Sequence, residues 1–263
     1  SGCRNVILGD YAGFGGTFTG SCNIVGGYAA GYVLAGGTSN ILLGHVSGYS
    51  ISDGGCNIAL GRSAGQNITT GDGNIAIGKY AAGKTNSKTG DTNILIGQYA
   101  GSCLSTGSKN IAIGTYALQK CATSGNCNIA IGEKAGRCVA GNCNIALGCS
   151  AMAALGGGSG NDNIAVGNQA MNCLSSGERN IAIGKFTMSC ISSGDKNVGL
   201  GHCVLPGNLT GDQNTAIGLY VGQAATSASY NQMIGSVAGQ CVTTGCFNVF
   251  VGNAAGRNTT EGK

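Results

Sequence analysis

Charge is scarce in this chain: Lys, Arg, Asp and Glu make up 9% of 263 residues, against about a quarter in an ordinary domain. There is one Pro, no Trp, two His and 5% aromatic residues. The single Pro excludes collagen, and the low charge together with abundant Ile, Leu and Val excludes a disordered chain. The net charge of +4 is not gathered into any Lys/Arg cluster, so the electrostatic footprint of a nucleic-acid binder is missing. No apolar run approaches the roughly 18 residues of a membrane-spanning helix, and no membrane insertion is expected. No Cys-x-x-Cys pair occurs, and His45 and His202 are far apart along the chain. No metal site and no cofactor are therefore expected.

What the chain does have is Gly, 51 residues of it, and 14 Cys. An Asn followed four residues later by Gly recurs fifteen times, from Asn5/Gly9 through Asn74/Gly78, Asn110/Gly114 and Asn180/Gly184 to Asn248/Gly252. Nine of the fourteen intervals between these Asn residues are 17. The others differ by one or two residues, so a tolerant loop must lie in each repeat. Three residues before each Asn is another Gly, replaced once by Ala228. Residues 1–263 are thus one repeat array, expected to be a piece of a longer fibre.

A 17-residue period with two Gly corners is too short for a helical hairpin, and Ile-Ala-Ile alternates with the period of a strand. A second extended stretch is expected at Tyr80–Ala82, Tyr99–Gly101 and Tyr116–Leu118. The fold expected is all-β, a β-solenoid of about 15 rungs with two short strands per rung; stacked at about 4.8 Å the rungs make a rod of roughly 70 Å. The residues one and three after each Asn are assigned to the inside. That turns the residue between them outward, Ala in eight copies (Ala59, Ala76, Ala112, Ala130, Ala146, Ala165, Ala182, Ala216). An apolar stripe along a rod is a surface for another copy. The Asn column reads equally as turn geometry with positive φ or as a ladder of stacked amides.

The Asn-Ile-Ala-Ile-Gly unit with an Ala three residues beyond its Gly, as in Gly132-Glu133-Lys134-Ala135, resembles the head repeats of trimeric autotransporter adhesins and related repeats of phage and algal-virus tail or capsid fibres. The resemblance spans all fifteen copies. It implies left-handed parallel β-rolls, three chains about a threefold axis, and a virion- or cell-surface fibre for host attachment. The period near 17, where the bacterial repeats have 14 to 15, and the 14 Cys depart from that pattern.

Cys103, Cys138, Cys173 and Cys190 lie ten residues after their Asn and Cys121 eleven, while Cys127 and Cys143 lie just before one. Stacking makes Cys103 with Cys121, Cys121 with Cys138, Cys173 with Cys190, and Cys127 with Cys143 candidate disulfide neighbours, in keeping with an oxidising extracellular setting. Sequons at Asn67, Asn208 and Asn258 fall in the variable loop and are candidate glycosylation sites. Tyr80, Tyr99 and Tyr116 share one position, either corner packing or a platform for stacking a glycan. Gly78 to Thr85 matches the phosphate-cradling Gly-x-x-x-x-Gly-Lys-Thr by letter, but leaves no room for the following helix.

No catalytic residue is assigned. The expected partners are copies of the chain itself, as a homotrimer, and a host-surface glycan or protein. Two other readings stand beside the fibre: a hexapeptide-type left-handed β-helix acyltransferase, whose hexad appears here only once per rung, and an ice-binding solenoid, which needs a regular Thr array.

Overall fold

The computed structural model describes residues 2–15, 17–84, 89–119, 124–153, 157–207 and 209–262. The chain forms two compact units, residues 1–133 and 134–263. The first contains β1 (Val6–Leu8), β2 (Ile24–Gly26), β3 (Ile41–Leu43), β4 (Ile58–Leu60), β5 (Ile75–Ile77), β6 (Ile94–Ile96), β7 (Ile111–Ile113) and β8 (Ile129–Ile131). The second contains β9 (Ile145–Leu147), β10 (Ile164–Val166), β11 (Ile181–Ile183), β12 (Val198–His202), β13 (Thr215–Leu219), β14 (Gln232–Ser236) and β15 (Val249–Val251). Within each unit consecutive strands pair in parallel and in register, as Ile58 with Ile75 and Ile164 with Ile181. Among the described residues there is no helix, so both units are all-β parallel solenoids built one repeat per turn.

Among the described residues each turn has one strand, where two were expected. The stretch Tyr80–Ala82 is a turn, with Tyr80 and Ala82 both at left-handed φ (58° and 53°). Tyr99 with Gly101, and Tyr116 with Leu118, repeat that pattern. Two left-handed residues separated by one cannot lie in a pleated strand. The far wall instead contributes isolated bridges, Val139 to Gly158 and Ile191 to Leu209.

The repeat Asn residues form an amide ladder. The backbone N–H of Asn180 donates to Oδ1 of Asn163 at 2.9 Å, and its Nδ2 donates to the same oxygen at 3.1 Å and to the Gly194 carbonyl at 2.8 Å. Asn197 repeats this on Asn180, and Asn40 does so on Asn23 in the first unit. Asn40, Asn180 and Asn197 are fully buried. The positive φ belongs to the residue before each Asn, such as Ser39 at 58° and Arg179 at 57°. Turn geometry at the Asn itself is thereby overturned in favour of the ladder.

The ladder also reverses the expected side-chain directions. With the Asn pointing inward, period two puts the second residue after it inside and the first and third outside. The eight Ala assigned to the outside are in fact buried, Ala59, Ala76 and Ala182 at 0% exposure. The flanking Ile and Leu are half-buried or exposed.

The interior is narrow, and two columns share it by size. Where the inward strand residue is large, the residue six positions on is Gly: Val25 with Gly31, Leu42 with Gly48, Leu95 with Gly101, Met233 with Gly239 and Phe250 with Gly256. A Cβ on Gly48 would lie 2.7 Å from Leu42 Cδ2. Where that later residue is Leu118, Met152, Met171, Met188 or Leu205, the strand residue is Ala or Gly, and all five large side chains are buried. These five sit at left-handed φ of 46–48°, a conformation that costs a non-Gly residue on the order of 1 kcal/mol. Filling the core offsets that cost, since a vacant interior forfeits several kcal/mol per large side chain.

Two outcomes are expected. Asn180→Ala leaves the Asn197 N–H and the Gly194 carbonyl buried without partners and lowers unfolding free energy by about 3 kcal/mol, read as the urea midpoint. Gly48→Met and Leu42→Ala are each destabilising, while the double variant recovers most of the loss. A double-mutant cycle with no coupling would remove the size-sharing account.

Candidate functional site

The most conspicuous surface feature of each unit is the aliphatic flank of its strands. None of the thirty residues one and three after a repeat Asn is charged, and only Gly26, Thr215 and Gln232 are not Ile, Leu or Val. In the first unit Ile24, Leu43, Ile113 and Ile131 are 36–44% exposed. In the second, Ile183, Leu200 and Ile234 are 38–42% exposed. Apolar side chains gathered on one flank suit an interaction surface.

Side-chain ladders run beside the strands. Tyr80, Tyr99 and Tyr116 stack ring on ring, with centroids 5.1 and 5.3 Å apart and planes within 5°. Lys84 Nζ lies 4.5 Å from the Tyr99 ring centroid. Both faces of Tyr99 therefore meet other rings, which leaves a glycan the edges of this column. Two residues before the Asn, acidic and hydroxyl side chains reach back one turn to backbone N–H groups: Asp91 accepts from Asp72, Ser108 from Asp91, Asp195 from Glu178, and Asp212 from Asp195. The stacked carboxylates are thus turn connectors, a role the repeat alignment could have shown. Thr210, Thr226 and Thr243 donate their hydroxyls to carbonyls of the following turn.

The cysteine candidates divide. Cys121 lies outside the described residues, and with it the pairs Cys103/Cys121 and Cys121/Cys138. Cys103 is half-buried and Cys138 buried, while Cys127 in the first unit and Cys143 in the second are exposed. Cys173 and Cys190 lie on adjacent turns, in backbone outside the strands; both are half-buried and both are free thiols. Burial first, then the hydrogen bond and charge of Cys190, push the Cys173 thiol above its ordinary value of 9.0.

Of the sequons, Asn208 lies outside the described residues, as does Thr85 of the phosphate-loop match. Asn67 is half-buried and donates Nδ2 to the Gly83 carbonyl at 3.0 Å, whereas Asn258 is exposed. His45 stacks on Tyr28 with centroids 5.2 Å apart. His202 sits edge-on to both Phe186 and Tyr220, its Nε2 3.9 Å from Cys203 Sγ. Among the described residues no group of three or more His, Cys, Asp or Glu is placed to hold a metal ion. Among the same residues no helix is long and apolar enough to cross a membrane.

No protein-family model matches the chain, and no match appears among curated proteins or solved structures.

With its pKa raised, Cys173 stays protonated into alkaline solution. The associated stability is present below the unfolded thiol's pKa and is lost as pH rises through the folded one. Near pH 9, iodoacetamide should alkylate exposed Cys149 well before Cys173, and Cys190→Ala should quicken Cys173. Peptide mass mapping over a time course checks both.

Proposed function

We propose that the chain is a structural fibre or adhesin segment, extracellular on a virion or cell surface, that works by mechanical reach and attachment. In this reading left-handed β-rolls assemble as a parallel homotrimer, and the partners are other copies of the chain and a host-surface glycan or protein. The observation that carries it is the uncharged aliphatic flank, half-buried on strands such as β5 and β10 and exposed on others such as β3, β11 and β12. A second copy offers the same turn spacing and the same side chains, so rows of Ile and Leu match in register along each unit. Burying such rows is favourable at about 25 cal/mol per Å², and closed rotational symmetry lets every copy cover the same face. The resemblance of the Asn-Ile-Ala-Ile-Gly unit to fibre repeats supports threefold closure in particular.

Sedimentation equilibrium should give three times the chain mass. Ile183→Glu with Leu200→Glu, both pointing out of the solenoid, should shift the chain to single copies with its far-UV circular dichroism unchanged. A wild-type chain that sediments as one copy at micromolar concentration would sink the proposal.

A further inference from the structure

The first unit has a groove of about 280 Å³ lined by Tyr11, Tyr28, Ala29, Tyr32, Val46 and Tyr49. It arises from a local departure from the repeat. The second position after the corner Gly bears Tyr11, Tyr80, Tyr99 and Tyr116 in this unit, but on the two turns that follow Tyr11 it holds Ala29 and Val46. The aromatics move to either side. Tyr28 stands one residue earlier, edge-on to Tyr11 at 5.8 Å, and Tyr32 and Tyr49 stand three residues later, stacked at 4.9 Å with planes 3° apart. Two aromatic columns thus flank a floor of two small aliphatic side chains, the buried Ala29 and the half-buried Val46.

The lining selects a chemistry. None of the six residues carries a charge, and the four phenol hydroxyls make no hydrogen bond to another described residue. An organic cation would gain from the rings, but no carboxylate lines the groove and the chain's net charge is +4. A purely apolar ligand would leave four hydroxyls facing it. A neutral pyranose ring meets both demands: its C–H face packs on ring and aliphatic carbon, and its hydroxyls exchange hydrogen bonds with the phenols. We infer that the Tyr11/Tyr28/Tyr32/Tyr49 groove binds a neutral saccharide. This deepens the attachment reading above by naming a ligand class, and rests on that reading for its purpose but not on assembly into a trimer.

The test uses the full chain with ring-labelled tyrosines, titrated in solution with neutral gluco-, manno- and galacto-oligosaccharides and, separately, with tetramethylammonium chloride. At least one oligosaccharide should shift the resonances of the four groove tyrosines and leave Tyr80, Tyr99 and Tyr116 unmoved. Tyr32→Ala should weaken binding about tenfold or more, a loss of roughly 1.4 kcal/mol, while Tyr99→Ala retains it. Tyr32→Phe, which keeps the ring and so the fold, should weaken binding by a smaller factor through the lost hydroxyl. Silence towards every saccharide, a response to tetramethylammonium alone, or binding that survives both Tyr32 variants overturns the inference. Saccharide binding by a single-copy chain would keep it and remove self-association, and a trimer with silent tyrosines would do the reverse.

Discussion

A buried carboxamide on each turn is the constraint that organises the solenoid. An Asn pointing into a narrow apolar interior has to satisfy one acceptor and two donors there, or the turn loses several kcal/mol. Stacking supplies the partners: Oδ1 takes two N–H groups from the next Asn, and Nδ2 reaches the oxygen of the previous Asn and the Gly carbonyl beyond. Every bond of this set joins different turns. No single turn can close it, which makes the ladder cooperative along each unit and sets the turns in register.

Register fixes direction, and direction fixes the surface. Once the Asn is inward, the strand's alternation buries Ala76 and Ala182 and turns Ile183 outward. The interior is too thin for two large residues at one level, so Leu42 faces Gly48 while Met188 stands over Ala182. Large aliphatics beyond that capacity are placed on the flank, where they build a face for covering rather than a core. The proposed assembly and the proposed saccharide site would draw on separate parts of the turn, the strand flank for one and the corner aromatics for the other.

Much of this could be read from the residues. Period, corner glycines and parallel stacking follow from the spacing of Asn and Gly alone. The inward Asn was one of two open readings, and choosing it would have placed Ala59 and its counterparts inside, because both cannot face the same way as Ile58. The exchange of Gly48 for Met188 between copies was a second signal of an interior pair. The groove at Ala29 and Val46 is hard to see in the sequence because Tyr28, Tyr32 and Tyr49 occupy positions of the repeat other than that of Tyr80, Tyr99 and Tyr116.

The sequence by itself determined that the chain is a stack of like turns, since a 17-residue unit with so few charges and so short an apolar run has no core except the one its neighbours provide. Tertiary structure decided which side of each strand is covered and which cysteines and tyrosines meet. Those outcomes depend on backbone dihedrals and on distances across the solenoid. Two left-handed residues at Tyr80 and Ala82 fold what letters suggest is a strand into a corner, and Cys173 and Cys190, on adjacent turns, stay free thiols.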